Sequence, residues 1–482
     1  MRAVGLDIGT TSISAVVLDA ISGKIEKAYT IANDSFLSSA QEWEKLQNPE
    51  KIRTKILHLL DTIIGEFPEI SVIGLTGQMH GIVYLNQKGE CVSPLYTWQD
   101  GRGNLADAAG KSLCDSLQEK YGMKAFAGYG LVTHLYNEQH GMVPKDAVSI
   151  CTIMDYIGIC ISKSEKVTIH SSNAASFGFY QLEKNEFCEE LLKSEGMNVS
   201  ILPEITDTVS VLGCYQGIPV CLAIGDNQAS FLGSIRCAKN EILVNMGTGG
   251  QVSLWTTERM NGENIEMRPF MENSYLAVGA SLCGGRAYAI LANFFQNCAS
   301  AMGVDGFDPY SFMKKMLEET EKGNGLLVDT RFSGTREHPS QRGSVENVGI
   351  DNFTPQNLTY GVLEGMVQEL YEYYKAMKEG LGVQRKMIVA SGNGMRKNAD
   401  LQRIASEKFQ MTLRLADRTE EAACGAALAG LHAIGYRSWR EMLGVEELYN
   451  HKTLEERAKK FNGELNLDGE FQWGESVGRE VW

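Results

Sequence analysis

Val4-Gly5-Leu6-Asp7-Ile8-Gly9-Thr10-Thr11-Ser12-Ile13-Ser14-Ala15-Val16-Val17-Leu18 lies near the start of the chain. Ile242-Leu243-Val244-Asn245-Met246-Gly247-Thr248-Gly249-Gly250-Gln251-Val252-Ser253-Leu254 repeats its grammar near the middle. Each stretch reads as an apolar strand, a polar residue, a tight Gly-Thr turn and a second strand. A Gly-rich turn bares backbone N–H groups, and a concave set of these binds anions, phosphate above all. Either stretch alone reads equally well as an ordinary β-hairpin. Together they point to two related half-molecules whose turns face one ligand, a nucleotide. They differ at one position, where Asp7 answers to Asn245. A carboxylate beside a phosphate calls for a cation between them, so Asp7 is the candidate Mg²⁺ residue.

With 482 residues the chain exceeds one typical core, so at least two domains are expected. The composition, 43% apolar and 22% charged, is that of a soluble globular protein. A net charge of −15 argues against nucleic acid as a partner. ATP stays open, because a nucleotide site needs only local donors and a metal. Eleven Cys, scattered without a C-x-x-C pair, read as reduced thiols rather than a disulfide frame or a zinc site. The N-terminus shows no basic segment followed by an apolar one, and no apolar run approaches a membrane span. The expected setting is cytoplasm, with no membrane partner.

Outward from the first hairpin, apolar residues at helical spacing predict a helix from about Pro49 to Glu66. A strand from Ser71 to Leu75 then runs into Gln78-Met79-His80-Gly81. The polar, Gly-punctuated Thr97-Trp98-Gln99-Asp100-Gly101-Arg102 reads as a loop. A strand from Pro219 to Ile224 ends in Gly225-Asp226-Asn227. The domain boundary falls near 236–240, dividing the chain into 1–238 and 239–442. In the second half a helix from about Leu358 to Lys378 precedes a strand, Lys386 to Ala390. A Gly loop, Ser391-Gly392-Asn393-Gly394, follows, and a helix opens near Asn398. Residues 420–435 read as a helix with a small-residue face. The segment 443–482 is charged, weakly periodic and read as peripheral.

Several strings carry chemistry. Gly110-Lys111-Ser112 imitates a phosphate loop, but Leu105 stands where its first Gly is required, so the match is chance. Asp226 follows an apolar strand and a Gly, which places its carboxylate at a strand end, where α/β sites form. There it serves either as a base that takes a proton from an alcohol during phosphoryl transfer or as a helix cap. Gln78, Met79 and His80, with Trp98, Asp100 and Arg102, have the amide, carboxylate, guanidinium and aromatic groups of a polyol pocket. Gly392, Asn393 and Gly394, between strand and helix, suggest a nucleotide contact.

With these strings assembled, the chain resembles the FGGY carbohydrate kinases over nearly its whole length, from Leu6 to about Gly430. That resemblance implies an α/β fold of two actin-like (ribonuclease H-like) domains with a nucleotide cleft between them. It also implies ATP-dependent phosphorylation of a sugar or polyol hydroxyl with Mg²⁺. ATP phosphates would meet Gly9, Thr10 and Thr11 on one side and Gly247, Thr248 and Gly249 on the other. Gly392, Asn393 and Gly394 would contact the adenosine, and Asp7 would hold Mg²⁺ through water. Gln78, Met79, His80, Trp98, Asp100, Arg102, Asp226 and Asn227 would bind the acceptor, with Asp226 as base. Within the family, Trp98–Arg102, Asn173–Gly178, Gly225–Ser230 and Tyr275–Gly285 resemble the sedoheptulokinase branch, which implies transfer to the C7 hydroxyl. Xylulose or another polyol remains the near alternative, and a non-catalytic sugar sensor the distant one. The partner is a small-molecule ketose, with a homodimer left open.

Overall fold

The computed structural model describes residues 1–123, 125–318, 324–335, 337–338 and 340–445. The first quoted stretch forms strands Arg2–Ile8 and Ser12–Asp19, paired antiparallel with Asp7 opposite Ser14. Val4, Leu6, Ile8, Ile13, Ala15 and Val17 are fully buried, as a strand covered on both faces requires. Strand Ile25–Ala32 extends the sheet on one side. Helix Pro49–Glu66 makes the crossover. Its first turn holds Pro49, the Asn48 side chain caps Lys51 N at 3.1 Å, and Ile52, Ile56, Leu60 and Ile63 face the core.

The chain returns as strand Ile70–Gly77, parallel to Arg2–Ile8, with Asp7 opposite Thr76 and Ile8 opposite Gly77. The strand expected over 219–224 is two short ones, Ile218–Cys221 and Ile224–Gly225, both parallel to Ile70–Gly77. Gly225 also lies opposite Gly77. Three parallel strands therefore end at one level, delivering Gly9, Gln78 and Asp226 to the same sheet edge. Ligands collect beyond such carboxyl ends.

The second sheet follows the same plan. Strands Glu241–Met246 and Gly250–Thr256 form the hairpin, and Tyr275–Ser281 and Ile265–Pro269 extend it. Helix Pro355–Leu381 leads to strand Met387–Ser391, which runs parallel to Glu241–Met246 with Ser391 opposite Asn245. Strand Thr412–Leu415 closes that side. Among the described residues the two sheets hold seven and six strands.

Helix Glu421–Ala433 follows the second sheet in sequence but packs on the first sheet and on helix Asp226–Ser234, and four glycines, two at each contact, set the approach. A Cβ on Gly5 would lie 1.8 Å from Ala423 O, and one on Gly74 1.8 Å from Ala426 O. A Cβ on Gly425 would meet Ala229 O at 1.8 Å, and one on Gly233 would meet Glu421 O at 2.0 Å. The small-residue face is thus spent on backbone-to-backbone approach. Apart from Leu443, Gly444 and Val445, the expected peripheral segment lies outside the described residues. All eleven Cys are free thiols. No described helix is long and apolar enough to cross a membrane.

Candidate active site

The turn after Arg2–Ile8 has all three carbonyls held. Asn33 Nδ2 donates to Gly9 O at 2.8 Å, Gln47 Nε2 to Thr10 O at 2.8 Å, and Asn33 N to Thr11 O at 2.9 Å. The backbone N–H groups remain as the polarity an anion would meet. Side chains complete a ring around the turn. Thr10 Oγ1 donates to Gln78 Oε1 at 3.4 Å, and Gln78 Nε2 to Gln47 Oε1 at 2.8 Å. Trp98 Nε1 donates to Thr10 Oγ1 at 2.9 Å. Gln78 and Trp98 therefore stand at the Gly9–Thr11 turn, and Gln47 is a member that sequence reading missed.

In the second sheet, the Gly247–Gly249 turn is closed by Gly247 N donating to Gly249 O at 2.9 Å. Helix Gly284–Ala301 abuts it, its Gly285 and Arg286 N–H groups donating to Gly247 O and Thr248 O at 2.9 and 3.0 Å. Gly392-Asn393-Gly394 is the first turn of helix Gly392–Lys397, not a loop. Gly392 has φ +82, and a Cβ there would lie 2.6 Å from Met246 O, so only glycine lets the helix start against the hairpin. Asn245 Nδ2 ties the two together through Ser391 Oγ at 2.9 Å.

Asp226 begins helix Asp226–Ser234, whose N-cap is Gly225 without a side-chain bond. Its carboxylate is therefore not consumed as a cap. Asn227 Nδ2 donates to Asp226 Oδ1 at 2.8 Å and reaches Met79 Sδ at 3.8 Å. Burial pushes the Asp226 carboxyl up, opposed by the Arg268 guanidinium and by Asn227 hydrogen bonds. Burial and the neighbouring Asp226 and Glu420 carboxylates push Asp7 up to about 7. Asp7 is thus crowded by two further carboxylates, groups of the kind a hard cation takes. No three acidic, His or Cys side chains among the described residues are close enough to ligate one ion directly.

A cavity of about 300 Å³ has on its wall Met79, which Asn227 reaches, and Arg268, whose charge Asp226 feels; Asp226 and Asn227 themselves do not line it. Met79, His80, Phe126, Tyr129, Ser172, Ser176 and Tyr180 line it from the first half of the chain, and Glu266, Arg268 and Glu337 from the second. The His80 ring stacks on Tyr129 with centroids 5.0 Å apart. Arg268 is buried, with Nη2 2.7 Å from Glu266 Oε2. Aromatic faces with convergent donors and acceptors suit a polyol. Asp100 and Arg102 are placed differently. Both are fully enclosed, with Arg102 Nε donating to Asp100 Oδ1 at 2.6 Å, and neither lines this cavity. The Arg102 guanidinium also lies over Tyr96, 4.3 Å from the ring centroid.

Two family models match the chain. The N-terminal domain of the FGGY family of carbohydrate kinases covers residues 2–233, and the C-terminal domain of that family covers residues 242–434. The chain belongs to the FGGY family of carbohydrate kinases. It is similar to the sedoheptulokinase of Mus musculus, at 25% identity over 89% of this chain and 97% of that protein. The gluconokinase of Bacillus subtilis strain 168 is 23% identical over 95% of this chain and 93% of its own. The structure of xylulose kinase from Lactobacillus acidophilus superimposes with a TM-score of 0.78 at 17% identity, covering 92% of each chain. As an FGGY protein this chain is a carbohydrate kinase with the two-domain, actin-like fold, and membership implies ATP as the phosphoryl donor.

Proposed function

We propose that the enzyme phosphorylates the terminal hydroxyl of a neutral ketose, sedoheptulose foremost, giving sedoheptulose 7-phosphate. The observation that carries this reading is the carboxylate of Asp226, not used as a helix cap and joined to the cavity wall through Asn227, which reaches Met79, and through the charge of Arg268. The ketose occupies the cavity against Met79, His80 and Tyr129 and reaches Asn227. Asp226 accepts the hydroxyl proton as that oxygen attacks the γ-phosphate in line. The phosphates are met by the turns at Gly9–Thr11 and Gly247–Gly249, and the adenosine lies towards Gly392–Gly394. In this scheme 1–238 supplies acceptor and base, and 239–442 supplies most of the nucleotide site. Asp7 is the residue that would hold Mg²⁺. The ion's chemistry there is to neutralise phosphate charge, and its presence would return Asp7 to its ionised form.

A neutral acceptor is favoured over an aldonate because Glu266 and Glu337 line the cavity. A substrate carboxylate would meet them with Arg268, alone among the described Lys and Arg side chains of the lining, in compensation. The sedoheptulokinase-named relatives support the seven-carbon sugar, and D-xylulose is the competing acceptor.

ADP release against sedoheptulose, D-xylulose, gluconate and glycerol tests the reading. Sedoheptulose should give the highest kcat/KM, and preference for gluconate would sink it. Asp226→Asn should lower kcat by about 10²–10⁴-fold while leaving nucleotide binding intact. Near-normal turnover in that variant would remove Asp226 from its role.

A further inference from the structure

The short helix Ser171–Ser176 sits between the catalytic strand end and the acceptor cavity, and it grips both. Ser172 Oγ accepts the N–H of Gly225, the residue before Asp226, at 2.9 Å. The polarity of that bond is fixed from behind. Ser172 N donates to His170 Nδ1 at 3.2 Å, so that nitrogen is an acceptor and takes the Ser172 hydroxyl proton at 2.8 Å. His170 Nε2 then carries the ring proton and points it at Asp207 O, 3.3 Å away. Burial keeps this imidazole neutral, holding it down to about 4. Asn173 Nδ2 adds a second hold on the same segment, donating to Ala223 O at 3.1 Å and to Asp155 Oδ1 at 3.1 Å.

The other end of the helix holds His80. Ser176 Oγ donates to Asn173 O at 2.7 Å and accepts the His80 N–H at 3.1 Å. The Ser176 carbonyl lies 2.7 Å from His80 Nδ1. A carbonyl only accepts, so Nδ1 carries a proton and donates it there. His80 has φ +73. In that region a non-glycine residue costs about 1 kcal/mol or more and persists only where its surroundings hold it.

Taking Asp226 as the base, we propose that the Ser171–Ser176 helix positions two separate parts of the reaction. Ser172 sets the Asp226 carboxylate for proton acceptance, and Ser176 sets the orientation of the His80 ring against the sugar. Both are positioning residues, each acting through another side chain.

Steady-state kinetics separate this from a merely structural helix. The acceptor is sedoheptulose, or D-xylulose if that is turned over faster. Ser172→Ala should lower kcat about 10- to 100-fold with acceptor KM within about twofold, and Ser172→Thr, which keeps the hydroxyl, should recover most of the loss. Ser176→Ala should raise acceptor KM about tenfold with kcat within about threefold. Should Ser172→Ala fail to fold, Ser172→Cys carries the same expectation, since the thiol is a poor acceptor. The proposal is overturned if both serine variants shift kcat and KM in one common pattern, or if either behaves as wild type. Asp226→Asn is measured alongside. Its retention of turnover would dispose of the base assignment, whereas its loss beside wild-type serine variants would dispose of this proposal alone.

Discussion

The indole N–H of Trp98 donates to the hydroxyl of Thr10 over 2.9 Å, joining a loop read as sugar-binding to the turn read as phosphate-binding. On the proposed phosphate role of that turn, the bond should give Trp98 a measurable part in nucleotide affinity. Trp98→Phe keeps the ring and deletes the donor, and should raise KM for ATP about fivefold, the worth of one net hydrogen bond. Thr10→Val deletes the same bond from the other side. Because Thr10→Val also removes the Thr10–Gln78 bond, the double variant should be little worse than Thr10→Val alone, and simple additivity of the two effects would show that the Trp98–Thr10 bond is not what matters.

How far the sequence betrayed this arrangement depends on whether the signal is local. The paired hairpins are legible because an apolar run, a polar residue and a Gly-Thr turn are contiguous. Asp226 is legible because a strand and a Gly immediately precede it. Gln47, Tyr129 and Arg268 carry no such mark, and only the tertiary fold brings them to the turn and the cavity. Asp100 and Arg102 show the opposite case. A polar pair in a loop looks like a ligand set, yet burial makes each the other's partner. Gly392-Asn393-Gly394 looks like a loop because its glycines suggest turns. The glycine at 392 instead serves close approach to Met246, which no local pattern encodes.

The glycines under helix Glu421–Ala433 should be among the least replaceable residues away from the site. A methyl at Gly74 would lie 1.8 Å from a backbone carbonyl, which no rotamer can relieve. Gly74→Ala should cost about 3 kcal/mol or more in urea unfolding, at the high end for one substitution. Gly65 has nothing within 4 Å of the equivalent position and lies on the exposed face of helix Pro49–Glu66. Gly65→Ala should be neutral or stabilising by up to about 1 kcal/mol.

Asp7 should show function held at the expense of stability. Its carboxyl is pushed up to about 7 from an ordinary 3.8, so without a cation the folded state resists ionising it. Between those values the folded protein binds more protons than the unfolded one, and this group's contribution falls as pH rises towards 7. Asp7→Asn should therefore be more stable than wild type at pH 8 without Mg²⁺, by about 1–3 kcal/mol, and equal to it near pH 4. Adding Mg²⁺ with ATP should raise the wild-type Tm more than that of the variant. A less stable Asp7→Asn at pH 8 would contradict the crowding of carboxylates around Asp7.

His134 supplies a pH dependence of opposite sign, away from the candidate site. It is buried, its Nδ1 lies 2.8 Å from the Tyr84 hydroxyl, and burial holds the ring down to about 4 from an ordinary 6.5. Asn137 Nδ2 donates to that hydroxyl at 3.2 Å, so the phenol proton goes to Nδ1 and the ring stays neutral. Between pH 6.5 and 4 the unfolded chain binds a proton there that the folded state refuses. Stability should fall as pH drops through that window, by about 3 kcal/mol from this one ring. His170, held down to about 4, adds a similar loss, while Asp155, pushed up to about 7, opposes both as pH falls. His134→Gln keeps an acceptor for Tyr84 and cannot be protonated. Both other groups are unchanged in that variant, so the difference between the two stability–pH curves isolates His134. The curves should converge as acid is added, with wild type losing about 3 kcal/mol more than the variant between pH 6.5 and 4. Parallel curves would mean that His134 protonates as readily in the folded protein as in the unfolded chain.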